Sequence, residues 1–133
     1  GAMPFFDIRR ISRYATLADP SYSAHEIIEN ADAVVTLNNT VGHEAIVFGK
    51  PVVVLGSALY SGLDSVVSPD DINELDSAIS EAIDKGGLTN KQVLQYIDAL
   101  YKVSEPVIWA DSTPKNISSF ISAIESRLTR DDT

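Results

Sequence analysis

Two short apolar runs constrain this chain more than any other feature. They are Asp32–Leu37, DAVVTL, and Val52–Leu55, VVVL. Both are rich in β-branched residues, and neither alternates apolar with polar. A strand with one wet face alternates, whereas a strand buried on both faces reads as a continuous apolar run. The intervening residues 41–49 spell a short helix that stops at Gly49, and Lys50-Pro51 restarts the chain. A strand, a helix and a strand at this spacing predict a parallel β-α-β unit with helices on both faces of the sheet.

The flanks extend the pattern. FFDIRRISR (5–13) predicts a short helix and YATLA (14–18) a short strand ending at Asp19-Pro20. Ser23 and Glu26 form a capping-box pattern, which opens a helix through Ile27, Ile28 and Asn30. SVV (65–67) predicts a brief edge strand. Ser68-Pro69-Asp70-Asp71 reads as an N-cap, an N1 proline and an acidic first turn. The helix it opens carries Ile72, Leu75, Ile79 and Ile83 on one face. Gly86-Gly87 ends it. Further helices are expected near 90–103 and 114–128, the last starting at Thr113-Pro114. The fold class is therefore α/β, partial Rossmann-like, with a parallel sheet of three or four strands flanked by helices.

Composition narrows the function. The chain has 133 residues and 44% hydrophobic content, enough for one domain with a real core. A single α/β domain over 4–128 is expected. Gly1-Ala2-Met3 has the look of a cleaved-tag remnant, and the tail 129–133 should fray. With no cysteine, disulfides, thiolate metal sites and a cysteine nucleophile are excluded. No metal site or cofactor is expected. No apolar run approaches the ~20 residues of a membrane span. Ten basic residues face nineteen acidic ones, a formal −9. Phosphate neutralisation needs Lys and Arg, so a nucleic-acid partner is not expected. Arg9, Arg10 and Arg13 do cluster, which reads as a solvated helix face or a surface for a partner domain.

The chemistry concentrates in NNTVGHE (38–44), set between the two apolar strands. In an open parallel sheet, ligands bind beyond the carboxyl ends of the strands. Free N–H groups at a helix start attract phosphate. Asn38, Asn39 and Thr40 add hydrogen-bonding side chains, and Gly42 allows close approach to backbone. Glu44, expected in the helix's first turn, can accept hydrogen bonds from the vicinal hydroxyls of a ribose. The second strand ends at LGSALYSG, a loop facing the same crevice. Each residue also has a structural account. Thr40 serves as an N-cap, Glu44 complements the helix dipole, His43 is a surface histidine and Gly42 permits helix packing. Asn38 and Asn116 each begin a glycosylation sequon, a weak match that an expected cytoplasmic location discounts.

Residues 31–60 resemble the donor-binding domain of bacterial capsule polysaccharide biosynthesis proteins, including Kdo-transferase-like members of the GT-B glycosyltransferases. The shared features are Asn39-Thr40, Val41-Gly42, Glu44-Ala45, Gly49-Lys50-Pro51-Val52 and the Gly56-Ser57-Ala58-Leu59-Tyr60 loop. A looser likeness runs from about 14 to 85. The resemblance implies a nucleotide-sugar donor, with CMP-Kdo the leading guess. It carries Asn39 and Thr40 over to the donor phosphate and Glu44 to the ribose, with Gly42 permitting the close approach, and Asn38 joins the phosphate-binding set by its place in the loop. Ser57 and Tyr60 would lie on the donor loop. Leaving-group charge would be stabilised by helix N-terminal N–H groups. It also implies a cytoplasmic protein, with the parent enzyme at the inner face of the membrane.

The family's His-Pro motif is absent, since Glu26 follows His25 and Glu44 follows His43. No catalytic base is identifiable. The chain thus reads as the C-terminal part of a donor domain, inactive without the missing N-terminal GT-B half. A missing strand would leave the edge of DAVVTL open, to be met by YATLA or by a second copy in a homodimer. Two other readings stand beside this one. One is a stand-alone, non-catalytic module that binds a nucleotide or a protein, favoured if Met3 is a native start. The other is a sugar-nucleotide epimerase-like GT-B fragment, against which the NNT loop counts.

Overall fold

A computed structural model describes residues 10–105, 107–108 and 111–128. The expected tag remnant 1–3, residues 5–9 of the first expected helix (Arg9 among them) and the tail 129–133 lie outside the described residues. The chain divides into two compact units, one up to Thr89 and the other from Asn90.

The first unit holds α1 (Ala24–Asn30), β1 (Val34–Thr36), α2 (Thr40–Val47), β2 (Val52–Val54), β3 (Val66–Val67), a 3-10 turn (Ile72–Glu74) and α3 (Leu75–Lys85). The sheet is parallel, with strand order β1-β2-β3. It is the α/β class that the apolar runs dictate, with three strands. Val35, Val53 and Val67 stand in one cross-strand row. Alternation along a strand puts Val52 and Val54 on the opposite face. On the first face, α3 presses Ala78 and Ala82 against Val53 and Val67, flanked by Leu55, Leu75 and Ile79. On the other, α2 lies against β1 and β2, with Ala45 and Ile46 fully buried. Each such buried valine or isoleucine stabilises the fold by ~1.5–3 kcal/mol relative to exposure.

Local signals set the ends of these elements. In the capping box of α1, the Glu26 N–H donates to Ser23 Oγ at 3.1 Å and the Ser23 N–H to Glu26 Oε2 at 2.9 Å. At the end of α2, the Lys50 N–H donates to the Ala45 carbonyl and the Gly49 N–H to that of Ile46. This pairing is a Schellman motif, and it needs the left-handed φ of +67° that Gly49 adopts. Pro51 then cannot continue the helix, and β2 begins.

Several expectations are corrected. Residues 14–18 form no strand. The Tyr14 and Ala15 N–H groups instead close a helical turn on the Ile11 carbonyl. The segment has one β-branched residue, Thr16, and its side chains are exposed, so neither propensity nor burial favours a strand. Thr16, Leu17 and Ala18 instead line a groove beside Tyr22 and Ile27. YATLA therefore does not cover β1. The Val34 N–H donates to Pro51 and the Leu55 N–H to Thr36, so both bonds point toward β2. The intervening Val35 directs its own N–H and C=O to the outer edge, where no strand lies among the described residues.

Ser68-Pro69 does not start the next helix. Asp71 is the cap, its Oδ1 accepting from the Asn73 N–H at 2.7 Å, and it opens the 3-10 turn. Regular helix starts only at Leu75. The buried line is then Leu75, Ala78, Ile79 and Ala82, while Ile72 is 62% and Ile83 47% exposed. Two alanines allow the helix backbone to lie close on the valine-covered sheet, where two isoleucines would hold it away.

The second unit holds α4 (Asn90–Val103) and α5 (Pro114–Leu128), as their apolar spacing predicts. Asn116 fastens the connection. Its Oδ1 accepts from the Ile108 N–H, and its Nδ2 donates to the Ile108 and Asp111 carbonyls. Arg127 donates to the Val103 carbonyl at 2.6 Å.

Candidate functional site

The polar loop leaves the carboxyl end of β1 and runs straight into α2, as the strand-then-helix pattern requires. Asn38, Asn39 and Thr40 are all exposed. Asn39 is the N-cap residue, with extended backbone, yet its side chain makes no capping bond. Its Oδ1 instead accepts from the hydroxyl of buried Thr36 at 2.6 Å. A carboxamide has one acceptor oxygen and an NH₂ donor group, so this bond engages only the oxygen. A helix leaves its first four N–H groups without intrahelical partners. Here no cap side chain satisfies them, although the Gly42 N–H closes a turn on the Asn39 carbonyl at 3.3 Å. The result is a positively polarised helix start at the carboxyl end of a parallel strand.

Tyr60 sits under this helix start. It is 2% exposed, and its hydroxyl donates to the Asn39 carbonyl at 2.7 Å. Its ring meets His43 edge-on at 4.5 Å between centroids. Burial raises the phenol's pKa, which keeps it a donor to Asn39. Gly42 is what admits the ring. A Cβ on Gly42 would stand 2.1 Å from Tyr60 Oη. The missing side chain thus makes room for Tyr60, a use that the sequence did not distinguish from room for a ligand. Tyr60 belongs to the loop after β2, but its side chain points into the fold rather than into the crevice. Ser57, on the same loop, is exposed. The two post-strand segments stay together because the Gly56 N–H donates to the Leu37 carbonyl at 3.0 Å.

Glu44 is not in the first turn, a correction to the sequence reading. With Asn39 as N-cap, it is the fifth residue of α2. It stands four residues beyond Thr40, about 6 Å along the axis from the helix start. Its side chain is 35% exposed, and its carboxylate lies 3.5 Å from Nε2 of His25 on α1. The His25 ring in turn rests on Phe48, with centroids 5.4 Å apart. In the sequence, His25 is marked only by the Glu26 that follows it in place of a proline. No local signal ties it to Glu44, because α1–α2 packing brings the two together. The structure therefore gathers Asn38, Asn39, Thr40 and Glu44 along one helix start, puts Ser57 on the neighbouring loop and withdraws Tyr60 and Gly42 into the support beneath. Among the described residues, no group of three His, Asp or Glu side chains is arranged to hold a metal ion, and no helix is long and apolar enough to cross a membrane.

Comparison with known proteins bears on the same segment. A family model described as "Capsule polysaccharide biosynthesis protein" matches residues 11–66. The chain is 44% identical over 55 residues to Protein FixF of Sinorhizobium fredii (strain NBRC 101917 / NGR234), covering 41% of this chain and 14% of that protein. It is 38% identical over 58 residues to the capsule polysaccharide export protein KpsS of Escherichia coli, covering 40% of this chain and 15% of that one. The chain thus spans about a seventh of the length of either relative. No solved structure gives a significant match.

Proposed function

We propose, from the premise that residues 11–66 are a capsule polysaccharide biosynthesis family segment, that this chain binds the nucleotide-sugar donor of a bacterial surface-polysaccharide glycosyltransferase. The observation that carries the reading is the uncapped start of α2, flanked by exposed Asn38 and Thr40, with Glu44 about 6 Å further along. Phosphate suits the polarised N–H groups. A ribose one helical turn away suits a carboxylate, which only accepts hydrogen bonds. The arrangement would bind the leaving nucleotide phosphate more tightly as charge develops on it, which is where such a site contributes to rate. The bare segment binds weakly and transfers no sugar by itself. CMP-Kdo is the leading donor, on family resemblance.

The test is a titration of CMP, UDP and GDP into the purified chain, followed on backbone amide shifts. One nucleotide is expected to move the amides of residues 38–44, and Glu44→Ala to abolish the effect. Silence from all three at millimolar concentration refutes the reading for this chain. Detectable sugar transfer by the chain alone refutes the claim that it is inactive.

A further inference from the structure

We propose that His25 is a second ligand contact beside Glu44, so that α1 and α2 together grip a vicinal diol. The proposal rests on the reading of residues 38–44 as a nucleotide site. His25 is the second residue of α1, whose first turn is fixed by the Ser23–Glu26 capping box and whose Ile28 is buried. Its ring is braced on Phe48, one helical turn beyond Glu44. Its side chain is nevertheless 63% exposed. The imidazole is thus held from behind and open in front.

The separation of His25 Nε2 from Glu44 Oε2 is 3.5 Å, longer than a good N–H···O bond. This loose pair holds the two groups side by side with polar capacity to spare. The carboxylate can only accept, whereas an imidazole nitrogen donates or accepts according to its proton. Two adjacent hydroxyls suit such a pair. One donates to Glu44, the other exchanges a hydrogen bond with His25, and neither needs the other's partner. A single hydroxyl, or none, leaves one half of the pair unused. The sugar edge selected is therefore a ribose with both hydroxyls free, a requirement the phosphate end of the site does not impose.

The experiment measures affinities of the full chain for CMP, UDP and GDP, each against its 2′,3′-dideoxy form, which keeps base and phosphate and lacks the diol. Wild type, His25→Ala, His25→Gln and Glu44→Ala are compared. For the nucleotide that binds, His25→Ala is expected to weaken the ribose form about 2-fold to 10-fold, the worth of one hydrogen bond. The dideoxy form should be unaffected, and His25→Gln should recover part of the loss. If Glu44→Ala weakens ribose binding but His25→Ala does not, the proposal fails and the nucleotide site stands. If His25→Ala weakens both forms equally, His25 acts through the fold, and the proposal fails again. If wild type binds none of the nucleotides, both readings fall.

Discussion

Replacing Gly42 by alanine tests the support beneath the candidate site. Inside an ordinary helix, Gly→Ala stabilises by about 0.5–1 kcal/mol. Here the new Cβ would lie 2.1 Å from Tyr60 Oη, 2.3 Å from Cζ and 2.6 Å from Cε2. Atoms in contact need roughly 3.5 Å, so the ring must retreat by about 1 Å or more. Tyr60 is 2% exposed and has no open space to enter without moving its loop. Overpacking of this kind costs about 1–3 kcal/mol. Loss of the 2.7 Å bond to the Asn39 carbonyl adds about 1 kcal/mol. Set against the helical gain, the net expectation is a destabilisation of about 1–3 kcal/mol. The assay is a urea titration followed on the amide peaks of Val52–Val54, with the midpoint falling at constant slope. Tyr60→Leu in the Gly42→Ala background should cost less than the sum of the two single changes, because the clash is removed. A Gly42→Ala protein as stable as wild type, or more so, refutes the account of Gly42 as the opening for Tyr60.

Thr36→Val keeps the side chain's shape and deletes the bond to Asn39 Oδ1, so the same urea titration should show a loss of about 0.5–1.5 kcal/mol. The amides of 38–40 should also exchange faster, and unchanged exchange would contradict the role given to Thr36. Val53→Ala removes two buried methyl groups from the row facing Ala78 and Ala82, a loss of about 2 kcal/mol in the same titration. A neutral result would mean that α3 does not pack there. The Glu26 carboxyl is held below its ordinary pKa, first by the Ser23 backbone N–H and then by the Ser23 side chain. A depressed pKa stabilises the fold above the ordinary glutamate value, and that contribution disappears as pH falls through the lowered one. Ser23→Ala keeps the backbone N–H and removes only the lesser, side-chain cause, so the Glu26 carboxyl titration, read by NMR, should rise only part of the way to the ordinary value, and a complete return would refute the leading role of the backbone N–H. The outward N–H and C=O of Val35 lead us to expect pairing with a second copy, hence a concentration-dependent dimer in sedimentation velocity. Val35→Pro should shift it to monomer by removing that donor, and a wild type monomeric at every concentration refutes the idea.

Much of this protein was decided locally and could be read from the chain. The β-branched runs around Val34 and Val53 pointed to a parallel β-α-β unit, but only the central β2 is buried throughout, whereas β1, at the sheet's edge, leaves Val35 42% exposed. Ser23 and Glu26 met as a capping box because three residues of helix bring them together. Gly49-Lys50-Pro51 ended α2 and started β2 through backbone conformation alone. Residues 31–60 carried the family likeness for the same reason, since their motifs are local in sequence. Other features depended on contacts between residues far apart in sequence. Tyr60 meets Gly42 and Asn39 across about twenty residues, and His25 meets Glu44 across a strand. No local pattern announces either pair. The sheet, too, took Ala78 and Ala82 beside Leu75 and Ile79 and left Ile72 and Ile83 exposed, because close packing on valines rewards small side chains. Residues 14–18 stayed out of the sheet although the edge of β1 is open, because their one β-branched residue and exposed side chains favour the helical turn closed on Ile11 instead. Local propensity therefore fixed which elements form and where most of them end, while burial and close packing decided which side chains support the site and which face it.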